Sequence, residues 1–349
     1  MTEPSTDCRP HRHVWVEKIE AESRVSGCYL VKKKKLSTTR NGNPFLSLTL
    51  ADKTGELPAK IWNKAEALSA LFREGEVIEI AGQTATYQGQ VQLTVSQLRP
   101  SSETPDPGIF VETSPFDTQE MMRSLRTILN QVKDIHLKAL IDGFWKDRKF
   151  MDLFKNAPAA KNFHHGYMGG LLEHTLSVCR LAALASDHYP SLNKDLLVTG
   201  AFLHDVGKTQ EFSWNMSINY TDEGRLVGHL VLGVTMVDEK LRPLQDFPKE
   251  LAIRLRHLIL SHHGQYDFGS PKEPKFQEAF ALHLLDDLDA KINGLNRFIQ
   301  RDRQEGAWTD FNRMFRKYFL KSAIPATLET DEKRETIDNR QGTLFSTDF

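Results

Sequence analysis

The chain has 349 residues, a length that calls for two domains and connecting pieces rather than one core. With 40% hydrophobic and 26% charged residues it has the balance of a globular protein, and no apolar run is long enough to span a membrane. A formal net charge of −1 excludes holding nucleic acid by an overall positive field, so any phosphate contact must be local. The polar start, Met1 to Pro10, is not expected to be a signal peptide. Cys8, Cys28 and Cys179 are scattered without CxxC spacing, which suggests neither a disulfide framework nor a cysteine zinc site. A reducing cytoplasm is the expected compartment.

After a polar tail over residues 1–13, residues 14–100 read as strands. Gly27–Val31 comes first, then Phe45–Leu50 in strict alternation, then Leu57–Trp62. A short helix, Ala65–Phe72, precedes Val77–Gly82 and Val91–Val95, which turn about Gly89. Period two means half-buried strands, and three strands, a helix and two more strands is the order of a five-stranded OB barrel. Lys32, Lys33, Lys34 and Lys35, with Arg40, gather positive charge on the expected first inter-strand loop. Tyr29, Phe45, Trp62 and Tyr87 are spaced to supply rings for stacking on bases. The competing reading is a solvated lysine loop over core aromatics.

Residues 101–116 begin as a polar, Pro-rich break, read as a linker. A helical lead-in over residues 117–160 and a helical domain over 161–320 follow. Thr118–Gln131, Ile135–Phe144, Leu171–Ala185, Asp195–Leu203, Lys249–Leu260 and Phe276–Ile292 all carry apolar residues at three-to-four spacing. The fold class expected is therefore multidomain, an all-β barrel followed by an all-α bundle. Residues 321–349 lose this periodicity and read as a tail.

Most of the thirteen histidines lie between His164 and His263, interleaved with acids. His174 sits in a helix after Gly169–Gly170, His204–Asp205 ends a second helix, and His229 follows Gly228. His262–His263 ends a third helix and Asp286 lies in a fourth. Imidazoles and carboxylates suit Mn, Fe, Co, Ni or Zn, and facing helices can aim them at one interior point. Seven such groups are enough for two ions. Asp289 shares a helical face with Asp286, whereas Asp287 points to water. His136, His188, His257 and His283 read as ordinary structural histidines.

His174, then His204-Asp205-Val206-Gly207-Lys208, then Asp286 resembles the H…HD…D signature of HD-superfamily phosphohydrolases. Gly169–Thr175, Gly228–His229, Leu260–Gly264 and Leu282–Ala290, behind an OB-like domain, resemble the YhaM family of 3′-to-5′ exonucleases, a likeness covering roughly residues 15 to 320. The resemblance implies His174, His204, Asp205 and Asp286 as defining metal ligands. His229, His262 and His263 would be the further ligands of a two-metal site bridged by Asp205. It implies Mn, with Co, Fe or Ni as alternatives, catalytic roles for Asp205 and Lys208, and single-stranded RNA or DNA as substrate. Nucleoside 5′-monophosphates would be the products, with the 3′-to-5′ direction resting on the family alone. Lys208 is placed to meet a phosphate oxygen. Two other readings stay open: an HD hydrolase of free nucleotides or cyclic dinucleotides, and a strand-coating protein without catalysis. Gln341-Gly342-Thr343-Leu344-Phe345 resembles peptides that dock on the bacterial sliding clamp.

Overall fold

A computed structural model describes residues 13–101, 106–161, 164–214, 216–302 and 304–321. The chain divides into two compact units between Gly294 and Leu295. Most of both expected tails, and with them the Gln341–Phe345 peptide, lies outside the described residues.

The first unit opens with the barrel. Strands β1 (Arg24–Thr38), β2 (Pro44–Asp52) and β3 (Gly55–Ile61) are followed by helix α1 (Ala65–Ser69), β4 (Val77–Tyr87) and β5 (Gln90–Pro100). The strands close in the order β1-β2-β3-β5-β4, with β1 also paired to β4. A short parallel contact, Ala59 with Leu93 and Lys60 with Thr94, joins β3 to β5. Alternation along β2 sends Leu46, Leu48 and Leu50 inward to meet Ile61, Ile78, Ile80 and Leu93. The OB expectation and the helical second half both hold.

The strands are longer than their patterns implied. Lysines 32–35 lie within β1, where Lys33 pairs with Thr49 and Lys35 with Ser47 beyond a bulge, and not in the loop. A polar run reads as a loop, but ladder pairing with β2 carries the strand through it. Cys28 is disulfide-bonded, a bond that spacing along the chain did not suggest, whereas Cys179 is a free buried thiol.

Asp52 ties the chain before β1 to the barrel. Its carboxylate accepts from Val16 N at 2.8 Å, Thr54 N at 2.7 Å, Thr54 Oγ1 at 2.6 Å and His13 Nε2 at 2.8 Å. Burial would raise its pKa, but the hydrogen bonds from His13, Thr54 and Val16 outweigh that and hold it below the usual value. Asp52→Ala strands these donors and is expected to cost about 3 kcal/mol in urea unfolding. Because the folded pKa is the lower one, the contribution is complete above the unfolded value of about 4. It disappears as pH falls through the folded value, so wild type and variant converge in acid. A stability gap that does not narrow in acid would refute this account.

The helical half contains α2 (Thr118–Leu129), α3 (Ile135–Trp145), α4 (Arg148–Phe154), α5 (Gly170–His188), α6 (Lys194–Leu203) and α7 (Lys208–Glu211). After the two-residue strands β6 (Phe212–Ser213) and β7 (Asn219–Tyr220) come α8 (Asp222–Leu226), α9 (His229–Leu241), α10 (Lys249–Ser261) and α11 (Gln277–Arg301). The β6–β7 ribbon departs from a purely helical second half. Asp117, Asp134, Asp147, Asn193 and Thr221 each accept a backbone N–H at a helix start, which fixes where α2, α3, α4, α6 and α8 begin. The core joins Phe144, Phe150, Phe154 and Phe202 to Leu171, Leu197 and Leu258.

The segment read as a linker is polar only at its start. Ile109, Phe110 and Val111 are buried with Cys28 and Leu30 of β1, and Met168, Met216 and Ile218 of the helical half pack partly buried against them. Lys53 N donates to Ile109 O at 2.9 Å, and Met168 N to Glu112 O at 2.9 Å. Among the described residues no helix is long and apolar enough to cross a membrane.

Candidate metal centre and nucleic-acid face

Five helices deliver the histidines and aspartates to one interior region. His174 lies on the second turn of α5, His204–Asp205 directly follows α6, His229 opens α9, His262–His263 directly follows α10, and Asp286 lies mid-way along α11. Glycine permits the approach of two of these elements. A Cβ on Gly207 would lie 2.0 Å from His229 O, and one on Gly170 would lie 2.0 Å from His165 O.

The donors form two groups that share Asp205. His174 Nε2 stands 3.2 Å from His204 Nε2, 3.0 Å from Asp286 Oδ1 and 3.6 Å from Asp205 Oδ2. His204 Nε2 is 3.2 Å from the same Asp205 oxygen. On the other side Asp205 Oδ1 is 3.6 Å from His229 Nε2 and 3.5 Å from His262 Nε2, and His229 Nε2 is 3.3 Å from His263 Nε2. The sets His174–His204–Asp286 and His229–His262–His263 can each hold a metal ion. Asp205 Oδ1 is buried and has no hydrogen-bond partner, an arrangement costly for a carboxylate unless a cation meets it.

The outer nitrogens show why these atoms face inward. His204 Nδ1 donates to Ala201 O at 2.8 Å, His262 Nδ1 to Ile259 O at 2.8 Å and His263 Nδ1 to Phe268 O at 3.0 Å. His174 Nδ1 donates to Asp289 Oδ2 at 2.7 Å, and His229 Nδ1 to Glu211 Oε1 at 3.0 Å. For His204, His262 and His263 the partner is a carbonyl, which can only accept, so Nδ1 carries the proton and Nε2 of the neutral ring is left as a lone pair, while carboxylates accept from Nδ1 of His174 and His229. Acceptors behind each ring are the usual support of metal-binding imidazoles.

Charge follows the same plan. Burial would raise Asp205, but Lys208 and His204 hold it well below the carboxylate range. Asp286 is likewise lowered against burial, chiefly by His174. Burial works to lower His174, yet Asp286 and Asp289 raise it to about 10, so without a cation that ring holds a proton among carboxylates. Burial and the neighbouring His262 and His229 lower His263 to about 3, keeping it neutral. Lys208 Nζ lies 2.6 Å from Asp205 Oδ2, on the carboxylate itself and not in open space awaiting a phosphate.

The structure thus brings all seven expected ligands together, and sequence reasoning missed several neighbours. His164 and His165 lie against His174, with ring centroids 5.2 and 5.3 Å away. Adjacent histidines just ahead of the helix bearing His174 were the available signal. Glu211, which orients His229, gave none, because it meets that ring only through the α7–α9 packing. His257 and His283 bond to backbone groups, Lys275 N and His262 O respectively.

On the barrel the expected contacts divide. Tyr29 is 0% exposed in the core and its hydroxyl donates to Val14 O at 2.6 Å, so it has no face for a base. Strand alternation turns it inward. Phe45 and Trp62 stack at 5.1 Å, and Lys60 Nζ lies 5.5, 5.3 and 5.1 Å from the rings of Phe45, Trp62 and Tyr87. Trp62 and Tyr87 are exposed, which makes this trio about Lys60 a surface feature. Lys60 itself went unnoticed in the sequence, since Phe45 and Tyr87 reach it from β2 and β4 while Trp62 lies just past the end of its own strand, β3. Lys32 pairs with Glu56, and Lys34 donates to Ser69 O and Phe72 O, leaving Lys33, Lys35 and Arg40 as exposed cations. Beside the metal donors, Phe212 is buried while Tyr220 is partly exposed between Lys161 and Arg225.

Family models agree with this architecture: an HD domain matches residues 171–291 and an OB-fold nucleic acid binding domain matches residues 28–101. The fold and the histidine–aspartate centre define an HD-domain protein with an OB module ahead of it. A Bacillus subtilis protein named 3′-5′ exoribonuclease YhaM is 37% identical over 286 residues, covering 81% of this chain and 90% of the relative. The protein of that name from Listeria welshimeri is 37% identical over 278 residues, covering 78% of this chain and 87% of the relative. The chain belongs to the YhaM family.

Proposed function

We propose that this chain is a metal-dependent 3′-to-5′ exonuclease that removes nucleoside 5′-monophosphates from single-stranded RNA, and that it accepts DNA as well. The observation that carries the reading is the set of five imidazoles whose Nδ1 protons are committed outward, around a buried carboxylate oxygen with no partner. The donors are nitrogen and oxygen without sulfur, which fits manganese, cobalt, iron or nickel, manganese being our assignment. His174, His204, Asp205 and Asp286 would hold one ion, and His229, His262 and His263, with Asp205 shared, the other. Two bound divalent cations would supply an activated water and charge neutralisation at the phosphate. The protein's own part is to fix the seven donors, with Asp289 and Glu211 locking two of the rings. Lys208, its ammonium 2.6 Å from Asp205 Oδ2, would help to neutralise that carboxylate, and it is assigned to steady a phosphate oxygen. Phe45, Trp62, Tyr87 and Lys60, with Lys33, Lys35 and Arg40, are the assigned grip on the strand, stacking bases and meeting phosphates. That exposed aromatic surface favours a polymer over a free nucleotide. Gln341–Phe345 is assigned as a sliding-clamp ligand on its residue pattern.

The test is a product analysis of 5′-labelled single-stranded RNA and DNA with manganese present or chelated. A ladder shortening from the 3′ end, with mononucleotide released only when metal is present, is the expected result. Internal cuts, or equal activity under chelation, would overturn the reading.

A further inference from the structure

The second unit holds a feature that neither the metal centre nor the barrel uses. Residues 307–321 fold back as a small antiparallel hairpin, with Trp308 bridged to Leu320 and Asn312 to Lys317. Thr309 N donates to Phe319 O at 2.8 Å, and Lys321 N to Ala307 O at 2.7 Å. What pins it is polar. Asp302 accepts from Asp310 N at 2.7 Å and from Lys321 Nζ at 2.9 Å, and Thr309, 3% exposed, accepts from Phe319 N at 3.0 Å.

Trp308, Phe311, Met314, Tyr318 and Leu320 face solvent instead. Trp308 is 59% exposed and Tyr318 60%, and Phe311 stands 5.2 Å from the Tyr318 ring. Large apolar groups clustered in the open mark an interaction surface. Interleaved with them are Arg313, Arg316 and Lys317, all exposed and, among the described residues, in no ion pair with an acid. Asp310 is the one acid between residues 307 and 321. The centre of a protein–protein interface is depleted of charge, whereas rings alternating with uncompensated cations suit a strand with one negative charge per nucleotide.

We propose that this hairpin is a second single-strand-binding element, with Arg313, Arg316 and Lys317 on phosphates and Trp308 and Tyr318 stacked on bases. It rests on the proposed substrate class, single-stranded RNA. The experiment is fluorescence anisotropy of the full chain with 5′-fluorescein oligoadenylate, in chelator so that nothing is cut, across a salt series. The triple variant R313E/R316E/K317E is expected to bind about tenfold more weakly, with the salt slope reduced by about 2, the single-strand value for three phosphates. Arg313→Lys with Arg316→Lys retains the affinity. Asp302→Ala, which unpins the hairpin and leaves Arg313, Arg316 and Lys317 in place, also weakens binding.

Unchanged affinity and slope in the triple variant would overturn the proposal. So would unchanged affinity with an altered sedimentation mass, which would make this face a contact between protein chains. A wild-type chain that binds no strand sinks this inference and the substrate assignment together. A chain that binds through the hairpin but releases no mononucleotide leaves this inference standing and removes only the exonuclease reading.

Discussion

Replacing His204 and Asp205 together, as His204→Ala with Asp205→Asn, is expected to slow phosphodiester hydrolysis at least about a thousandfold, about 4 kcal/mol of transition-state stabilisation. Single-strand binding should survive, because Phe45, Trp62, Tyr87 and Lys60 belong to the barrel. A purely structural role for the pair would give the same loss of rate, so a second readout is needed. An ion that binds the folded state stabilises it by mass action. Wild-type protein should therefore gain several degrees of Tm on adding manganese, and the variant should gain none. A variant with the full manganese-dependent rise in Tm would show that the ions sit elsewhere.

The other large effect is expected at Gly207. A methyl group there would stand 2.0 Å from His229 O and 2.6 Å from Gly233 N, both backbone atoms of α9 that cannot rotate away. Helix α9 has to shift, and it carries His229. Gly207→Ala should cost about 3 kcal/mol of stability, at the upper end of ordinary overpacking. It should also lower the rate about a hundredfold, as misplacing a reacting group by about 1 Å does. Gly143→Ala in α3 is the control, since its Cβ would meet nothing closer than Lys240 Cδ at 3.9 Å. That change should stabilise the chain slightly, by up to about 1 kcal/mol, through helix propensity. Equal behaviour of the two variants would refute the steric account.

Both halves of the fold were legible because their signals are local. Alternation in Phe45–Leu50 records one inward face of β2, and the apolar spacing from Leu171 records the buried side of α5. The His204–Asp205 pair was legible for another reason, since two ligand types adjacent to a helix end and followed by glycine narrow the chemistry sharply. What remained hidden depends on register and tertiary contact. Tyr29 looked like a stacking ring because exposure is not written in residue type. Whether a lysine meets solvent or a carbonyl was equally unreadable, as Lys34 on Ser69 O and Phe72 O shows. Glu211 and Asp289 act only through the imidazoles they touch, and Glu211 reaches His229 across α7 and α9. The hairpin about Trp308–Leu320 is held by polar anchors, so it carries no hydrophobic period to detect.

The buried triplet Ile109–Phe110–Val111 has a bearing on how the chain comes apart. Seated among Cys28 and Leu30 of the barrel, with Met168, Met216 and Ile218 of the helical half against it, it acts as a splint. Lys53 N bonds to Ile109 O and Met168 N to Glu112 O, so the segment is tied by its backbone to the barrel on one side and to the helical half on the other. Barrel and helical half are therefore expected to melt together, in one calorimetric transition and not two.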